Sequence, residues 1–421
     1  MFPSPICPLL RGPLAGLLGL LVALPGPAAA TPLGIAEAMR IAEREAPALL
    51  ARQAQLRAAG EDAARADALP DPMLTLAIDN LTITGSNAGR LGADMMTMRR
   101  VGVMQDWPLP SKRQARRSAA EAGVIEADAE LQAGRLQVRR AAALAWVAAW
   151  RAGTELALLD ELEIEVARAA ELIERRLAGG VGSAGEALLA RAELAELGAR
   201  RRALRADLDA ARAELARWLG PAARRPLDKA PDFATLPRDA AALRASIDRH
   251  AELQPAEARV LRAERAVALA RADTRPDLRF GAAYGARSGA DDMLMLEVGV
   301  GLPLFRRDRQ QRDIAARQAE RDAAEAEHDD LRRRQRAALE AELARWAGLR
   351  SQAEHYRTQL LPLARDRGRL ALAALHGGAD LQAWLAAHHA EIELRLRYAA
   401  VLADLAGRWA WLSTLLPEDS P

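Results

Sequence analysis

From Ser111 to Leu219 the chain contains no proline, and the one clear break is the run Gly179-Gly180-Val181-Gly182-Ser183. The part from Lys112 to Leu177 alone predicts a rod of roughly 100 Å at 1.5 Å per residue. A rod that long cannot bury itself in the core of an ordinary domain. It has to pack as a coiled coil against the returning stretch, Ser183 to Leu219, and against neighbouring chains. Composition agrees. Half of the 421 residues are hydrophobic, only 4% are aromatic, and Ala, Leu, Arg and Glu dominate. Such a mixture belongs to long packed helices. With 59 basic and 57 acidic residues the net charge is +2, which gives no signal for nucleic acid.

The first thirty residues read as a leader. Arg11 precedes an apolar run, Leu14 to Leu24, then Pro25-Gly26-Pro27 and the small residues Ala28-Ala29-Ala30. This is the pattern of a secretory signal peptide, residues 1–30, cleaved before Thr31. Its apolar core is too short for a permanent span. Cys7, the only cysteine, lies upstream of that core within the leader, so the mature chain is expected to have neither disulfide nor thiolate chemistry. No later segment approaches eighteen consecutive apolar residues.

The remainder repeats itself at an offset of about two hundred residues. Residues 31–220 form a first repeat, 221–237 a linker, and 238–421 a second repeat. In the first, a helical stretch from Gly34 to Asp67 ends at Pro70-Asp71-Pro72. Two strand-like runs follow, Met73 to Ile83 and Met95 to Trp107, and Pro108-Leu109-Pro110 closes the pair. In the second, helix from about Arg238 to Asp273 ends at Arg275-Pro276-Asp277. The strand-like runs are Leu278 to Ala286 and Met293 to Leu304, and a long helical stretch from Arg309 to Leu416 is broken at Leu375-His376-Gly377-Gly378-Ala379. Val101-Gly102-Val103 matches Val298-Gly299-Val300. Each strand pair leads into a basic helix start, Lys112-Arg113 or Arg306-Arg307.

The runs alternate with period two. Leu74, Leu76 and Ile78 oppose Thr75, Ala77 and Asp79; Leu294, Leu296, Val298 and Val300 oppose Met295, Glu297 and Gly299. One apolar and one small or polar face is what a membrane β-barrel requires. Four strands cannot close a barrel, and open edges are not tolerated in lipid. Several copies must pool their strands; three would give twelve.

In these residues the sequence resembles the TolC-like outer-membrane efflux family. The resemblance rests on Arg275-Pro276-Asp277-Leu278, on Val298 to Phe305 with its arginine-rich sequel, and on the two tips Gly180-x-x-Ser183 and Gly377-x-x-Asp380. It implies a mainly α fold: a homotrimer whose long antiparallel coiled-coil helices form an α-barrel, with four strands per chain in a shared 12-stranded β-barrel. The implied location is the bacterial outer membrane with a periplasmic extension. The implied partners are a periplasmic membrane-fusion adaptor, an inner-membrane pump of the RND type, and outer-membrane lipid. Leu69 to Met73 and Met95 to Pro108 look like the heavy-metal branch, whose cargo is metal cations. The same architecture also serves drug efflux and type I protein secretion. A periplasmic coiled-coil adaptor is a further rival, but one without paired amphipathic strands.

The expected contact region for the adaptor is Gly180, Gly182, Ser183, Glu186, Gly377, Gly378 and Asp380. Asp380, Glu186 and His376 are candidate gate residues, since rotational symmetry multiplies each charge near the axis. Ser183 and Asp380 also suit helix capping. In the family an acidic residue often follows the tip residue by three. Glu186 fits; Ala383 in the second tip does not. Met95, Met96, Met98 and Met104 suggest soft-metal ligands, but read more simply as barrel and lipid-face side chains, because successive residues of a strand face opposite ways and do not converge on one ion. His250, His328, His355, His376, His388 and His389 form no spaced metal motif; His388 and His389 point apart on a helix. No phosphate loop, nucleophile elbow or zinc spacing occurs, so no cofactor and no enzyme activity are expected. Pro362 should kink or reset the last long helix.

Overall fold

A computed structural model describes residues 31–181, 183–377 and 381–416, leaving residues 1–30, Gly182, Gly378, Ala379, Asp380 and 417–421 outside it. The first repeat opens with α1 (Ile35–Glu45) and α2 (Pro47–Arg65). The single helix expected here is split because Pro47 forces Ala46 into an extended conformation, φ −64° and ψ 119°. Strands β1 (Met73–Asp79) and β2 (Met98–Trp107) follow. They are shorter than the sequence runs. Asn80 adopts φ 54° and ends β1, and Thr82, Asp94 and Met96 tie the connecting segment to itself through side-chain hydrogen bonds. The long rod is α3 (Pro110–Ala178), 69 residues, which returns as α4 (Ala184–Leu219).

The second repeat contains α5 (Ala240–Ala245), α6 (Gln254–Ala272), β3 (Leu278–Arg287) and β4 (Met293–Val300). Its rod is α7 (Gln310–His355) and α8 (Leu361–His376), and α9 (Leu381–Ser413) returns. Between α7 and α8 lies one π-helical turn, Tyr356–Leu360. Pro362 has no N–H to donate to the preceding turn, and the wider turn accommodates its ring without breaking the rod. The reset expected at Pro362 therefore takes this form.

The four strands make one antiparallel sheet in the order β1-β2-β3-β4, so the halves join through β2 and β3. In the helical layer α3 packs against α2, α4, α6 and α9, while α7 packs against α6 and α9. The largest core lies where the rods cross the segment linking the halves. Trp146 is fully buried and donates its indole N–H to the Leu33 carbonyl at 2.8 Å. Phe233 wedges between Trp150 and Trp409, while Trp346 and Trp409 donate to the carbonyls of Phe233 and Thr235. Indoles that bury area and still satisfy their N–H anchor the linker segment as a girdle. Further down, Leu159, Leu162, Val166 and Ile173 of α3 pack on Ala187, Leu197, Trp384 and Ile392, so the hairpins touch almost to their tips. Among the described residues no helix is long and apolar enough to cross a membrane.

Candidate functional site

Strand register sorts the side chains into two faces. Leu74 lies opposite Val103, Leu76 opposite Val101, Val101 opposite Tyr284, and Tyr284 opposite Leu294. Together with Phe280, Leu296, Val298 and Val300 they form one broad apolar face. Leu76 keeps 76% and Leu296 77% of its surface exposed. Polar relief there is sparse: Arg99 lies opposite Ile78 at one end, Gln105 donates to the Pro70 carbonyl, and Tyr284 bonds Asp292. Trp107 and Phe280 meet edge to face, 6.4 Å apart, at the end nearest the helices. A contiguous apolar patch of this extent needs a nonaqueous partner.

The opposite face carries Thr75, Ala77 and Asp79, then Arg100, Gly102 and Asp106, then Arg279, Gly281 and Gly285, and finally Glu297 and Gly299. Its charges are largely paired across strands: Arg100 with Asp79 at 3.0 Å, and Arg279 with Asp106 at 2.6 Å. The glycines are there for space. A Cβ on Gly102 would come within 2.7 Å of the Ala283 Cβ and 3.0 Å of the Thr75 hydroxyl. Met98 and Met104 lie on this face, and Met95 and Met96 lie in the exposed loop before β2. The reading of Met98 and Met104 as lipid-face residues is thereby corrected: they are six residues apart, an even number, and share the face opposite the apolar one.

The junction of sheet and rods is held by motifs from opposite halves. Lys112, 4% exposed, pairs with Asp277 at 2.8 Å and Asp273 at 3.4 Å, and Arg275 donates to the Ser111 hydroxyl at 2.6 Å. The basic helix start of the first repeat thus meets the Arg-Pro-Asp run of the second. The reciprocal pair, Arg306 or Arg307 with Asp71, is not formed within the chain; Arg306 reaches Thr274 instead.

At the first tip, Gly180 takes φ +74°, and the N–H groups of Gly180 and Val181 donate to the carbonyls of Leu177 and Arg176. This closes α3 with a Schellman turn that only glycine enters cheaply. Ser183 then caps α4. Its hydroxyl accepts from the Gly185 N–H at 3.1 Å, and Glu186 accepts from the Ser183 N–H at 3.3 Å. Ser183 and Glu186, picked as contact and gate candidates, are therefore structural partners in one capping box, on an exposed turn. At the second tip Gly377 closes α8 by donating to the Ala373 carbonyl. Gly182, Gly378, Asp380 and the His376 side chain lie outside the described residues.

Sequence reading missed the clasp above the tips. His388 Nε2 lies 2.7 Å from Glu165 of α3, and His389 Nε2 lies 2.6 Å from Glu193 of α4. His388 also stacks on Trp384 at 5.2 Å. Burial pushes the His388 imidazole below its ordinary pKa, Glu165 and Glu391 pull it up, and Arg395 and His389 oppose them. About three helical turns past a glycine break, the doublet His388-His389 was the available signal. Among the described residues no group of three or more His, Cys, Asp or Glu could hold a metal ion.

Residues 39–221 match the family model described as outer membrane efflux protein. No curated protein matches the chain in a direct sequence comparison. Among solved structures, a membrane protein from Pseudomonas aeruginosa aligns at 17% identity and TM-score 0.76, over 91% of this chain and 93% of that one. CusC, solved in conformations accompanying folding and transmembrane channel formation, aligns at 14% and 0.75, over 92% and 93%. The outer membrane protein VceC from Vibrio cholerae aligns at 19% and 0.68, over 91% and 94%. The chain shares their fold over nearly its whole described length: long helices plus a four-stranded antiparallel sheet.

Proposed function

We propose that this chain is the outer-membrane duct of a tripartite efflux system, passively conducting heavy-metal cations from a periplasmic adaptor and an inner-membrane pump of the RND type to the outside. The sheet lies in the outer membrane and the rods extend through the periplasm. One observation carries this reading: an open four-stranded sheet, apolar on one face and unpaired at β1 and β4, is joined to rods of about 100 Å. Lipid tolerates no open edge, so β4 of one copy must meet β1 of the next. An even number of antiparallel strands lets copies join head to tail with the pattern unbroken. A homotrimer supplies twelve strands, within the range of known barrels. The uncovered outer length of α7 would then pack against α2 of a neighbour, and Arg306 or Arg307 would meet the neighbour's Asp71, as Lys112 meets Asp277 within the chain.

The duct adds no chemistry; the pump supplies the energy. Opening is a loosening of the inner helical pairs that end at Gly179–Ser183 and Leu375–Asp380, stabilised by the adaptor. Gly180, Gly182, Ser183, Gly377 and Gly378 provide the docking turns, with Asp380, Glu186 and His376 bordering the entrance. The metal assignment draws on the likeness of Leu69–Met73 and Met95–Pro108 to the heavy-metal branch. Deleting the gene should raise sensitivity to metal salts while leaving drug sensitivity unchanged. The opposite pattern would replace metal with drug as cargo. Cross-linking the tips between subunits should abolish export and leave assembly intact; undiminished export would contradict the gate.

A further inference from the structure

We infer that the inward face of the sheet carries two methionine stations for a soft monovalent cation, Cu(I) or Ag(I), an inference that rests on the duct reading and narrows its cargo. Of the nine methionines in the chain, five lie in strands: Met73, Met98, Met104, Met293 and Met295. By the strand registers all five share the inward face with Thr75, Gly102 and Glu297. The outward face, where apolar bulk is wanted, takes that bulk from Leu, Ile, Val and aromatic residues and contains no methionine. Methionine as plain hydrophobic filler would belong outside.

The five converge in two places. Met293 lies directly opposite Gly285, and a Cβ on Gly285 would run into the sulfur of Met98 and come within 3.1 Å of the Met295 methyl. Thioethers from β2 and β4 therefore meet over one glycine of β3. At the helix-proximal end Met73 lies directly opposite Met104, whose Cγ would be 3.7 Å from a Cβ on Gly281. Met98 and Met104 are six residues apart on one strand, which separates the stations by about 20 Å. Glu297, opposite Gly281 and so in the row of Met73 and Met104, adds a carboxylate to that second station. Residues alternating along a single strand cannot converge, but residues on three paired strands can.

Thioether sulfur is neutral and soft. It favours Cu(I) and Ag(I) over Zn(II) or Co(II) and needs no deprotonation. A conducting path also requires binding weak enough to release, over more than one site. Methionine meets that condition better than thiolate, which the mature chain lacks.

The test uses the full chain purified in detergent, with Ag(I) as the probe. X-ray absorption should show silver bound through sulfur, with affinity unchanged across the pH range where histidine titrates. Replacing all five residues by Leu, which preserves volume, should weaken binding about tenfold or more. Met73→Leu/Met104→Leu and Met98→Leu/Met293→Leu/Met295→Leu should each remove part of the bound silver, so the result does not depend on one variant folding. Met95→Leu/Met96→Leu should change nothing. Silver held without sulfur, or held equally well by the five-Leu protein, overturns the inference. Potassium conductance in planar bilayers is read in parallel. Its presence alongside failed silver binding sinks only the stations, and its absence from the wild-type protein sinks the duct reading and the stations with it.

Discussion

His388 and His389 are neighbours in sequence but clasp different helices, Glu165 on α3 and Glu193 on α4. Because burial holds the His388 pKa below the ordinary 6.5, the unfolded tip binds more protons than the folded one just below that value. Its contribution to stability is complete above the unfolded pKa and is lost as pH falls through the window beneath it. Hydrogen exchange in the first turns of α9 should therefore accelerate on going from pH about 7.5 to about 5.5. His388→Gln should flatten that dependence; an unchanged profile would remove His388 from the account. At the adjoining turn, Gly180→Ala should cost about 1 kcal/mol through its positive φ, and Ser183→Ala about 1 kcal/mol through the lost cap. Thermal unfolding of the tips measures both. Capping by Ser183 was legible from the residue's place before a helical run. The clasp was not, because only the packing of α9 between two other helices says which carboxylates its histidines reach.

At the scale of elements, much was legible because it depends on local periodicity: the rods, the glycine tips, the four strands and the apolar alternation of β1 and β4. The errors came from local backbone chemistry. Asn80 ends β1 early and Pro47 splits the first helix, whereas the reset expected at Pro362 is present as a π turn. The meeting of Lys112 with Asp277 was invisible, since 165 residues separate partners that only the β2–β3 pairing brings together. Lys112→Ala should cost about 2 kcal/mol, toward the low end for a buried pair because both aspartates reach solvent. Chemical denaturation of the extracted protein checks this. Gly102→Val should be more severe, because the new side chain meets the Ala282 carbonyl and the Ala283 Cβ at once. The expected outcome is loss of the heat-resistant oligomer on gels; an oligomer of unchanged heat resistance would mean that the sheet bends more freely than its register implies.

At the scale of the whole molecule, everything turns on the two unpaired edges. β1 and β4 end the sheet, and their apolar face is too extensive for water. Cys7 is the only cysteine in the sequence and lies outside the strands, so a disulfide placed between strands can report on that joint with little background. Cysteines placed pairwise at inward positions of β1 (Thr75, Ala77) and β4 (Met295, Glu297, Gly299) can bridge only between copies, because β2 and β3 separate the two strands within one chain. Oxidised in intact cells, at least one pair should yield a covalent ladder ending at a closed three-chain ring in the outer-membrane fraction. A chain that stays monomeric for every pair, and that fractionates with the soluble periplasm, would contradict the account.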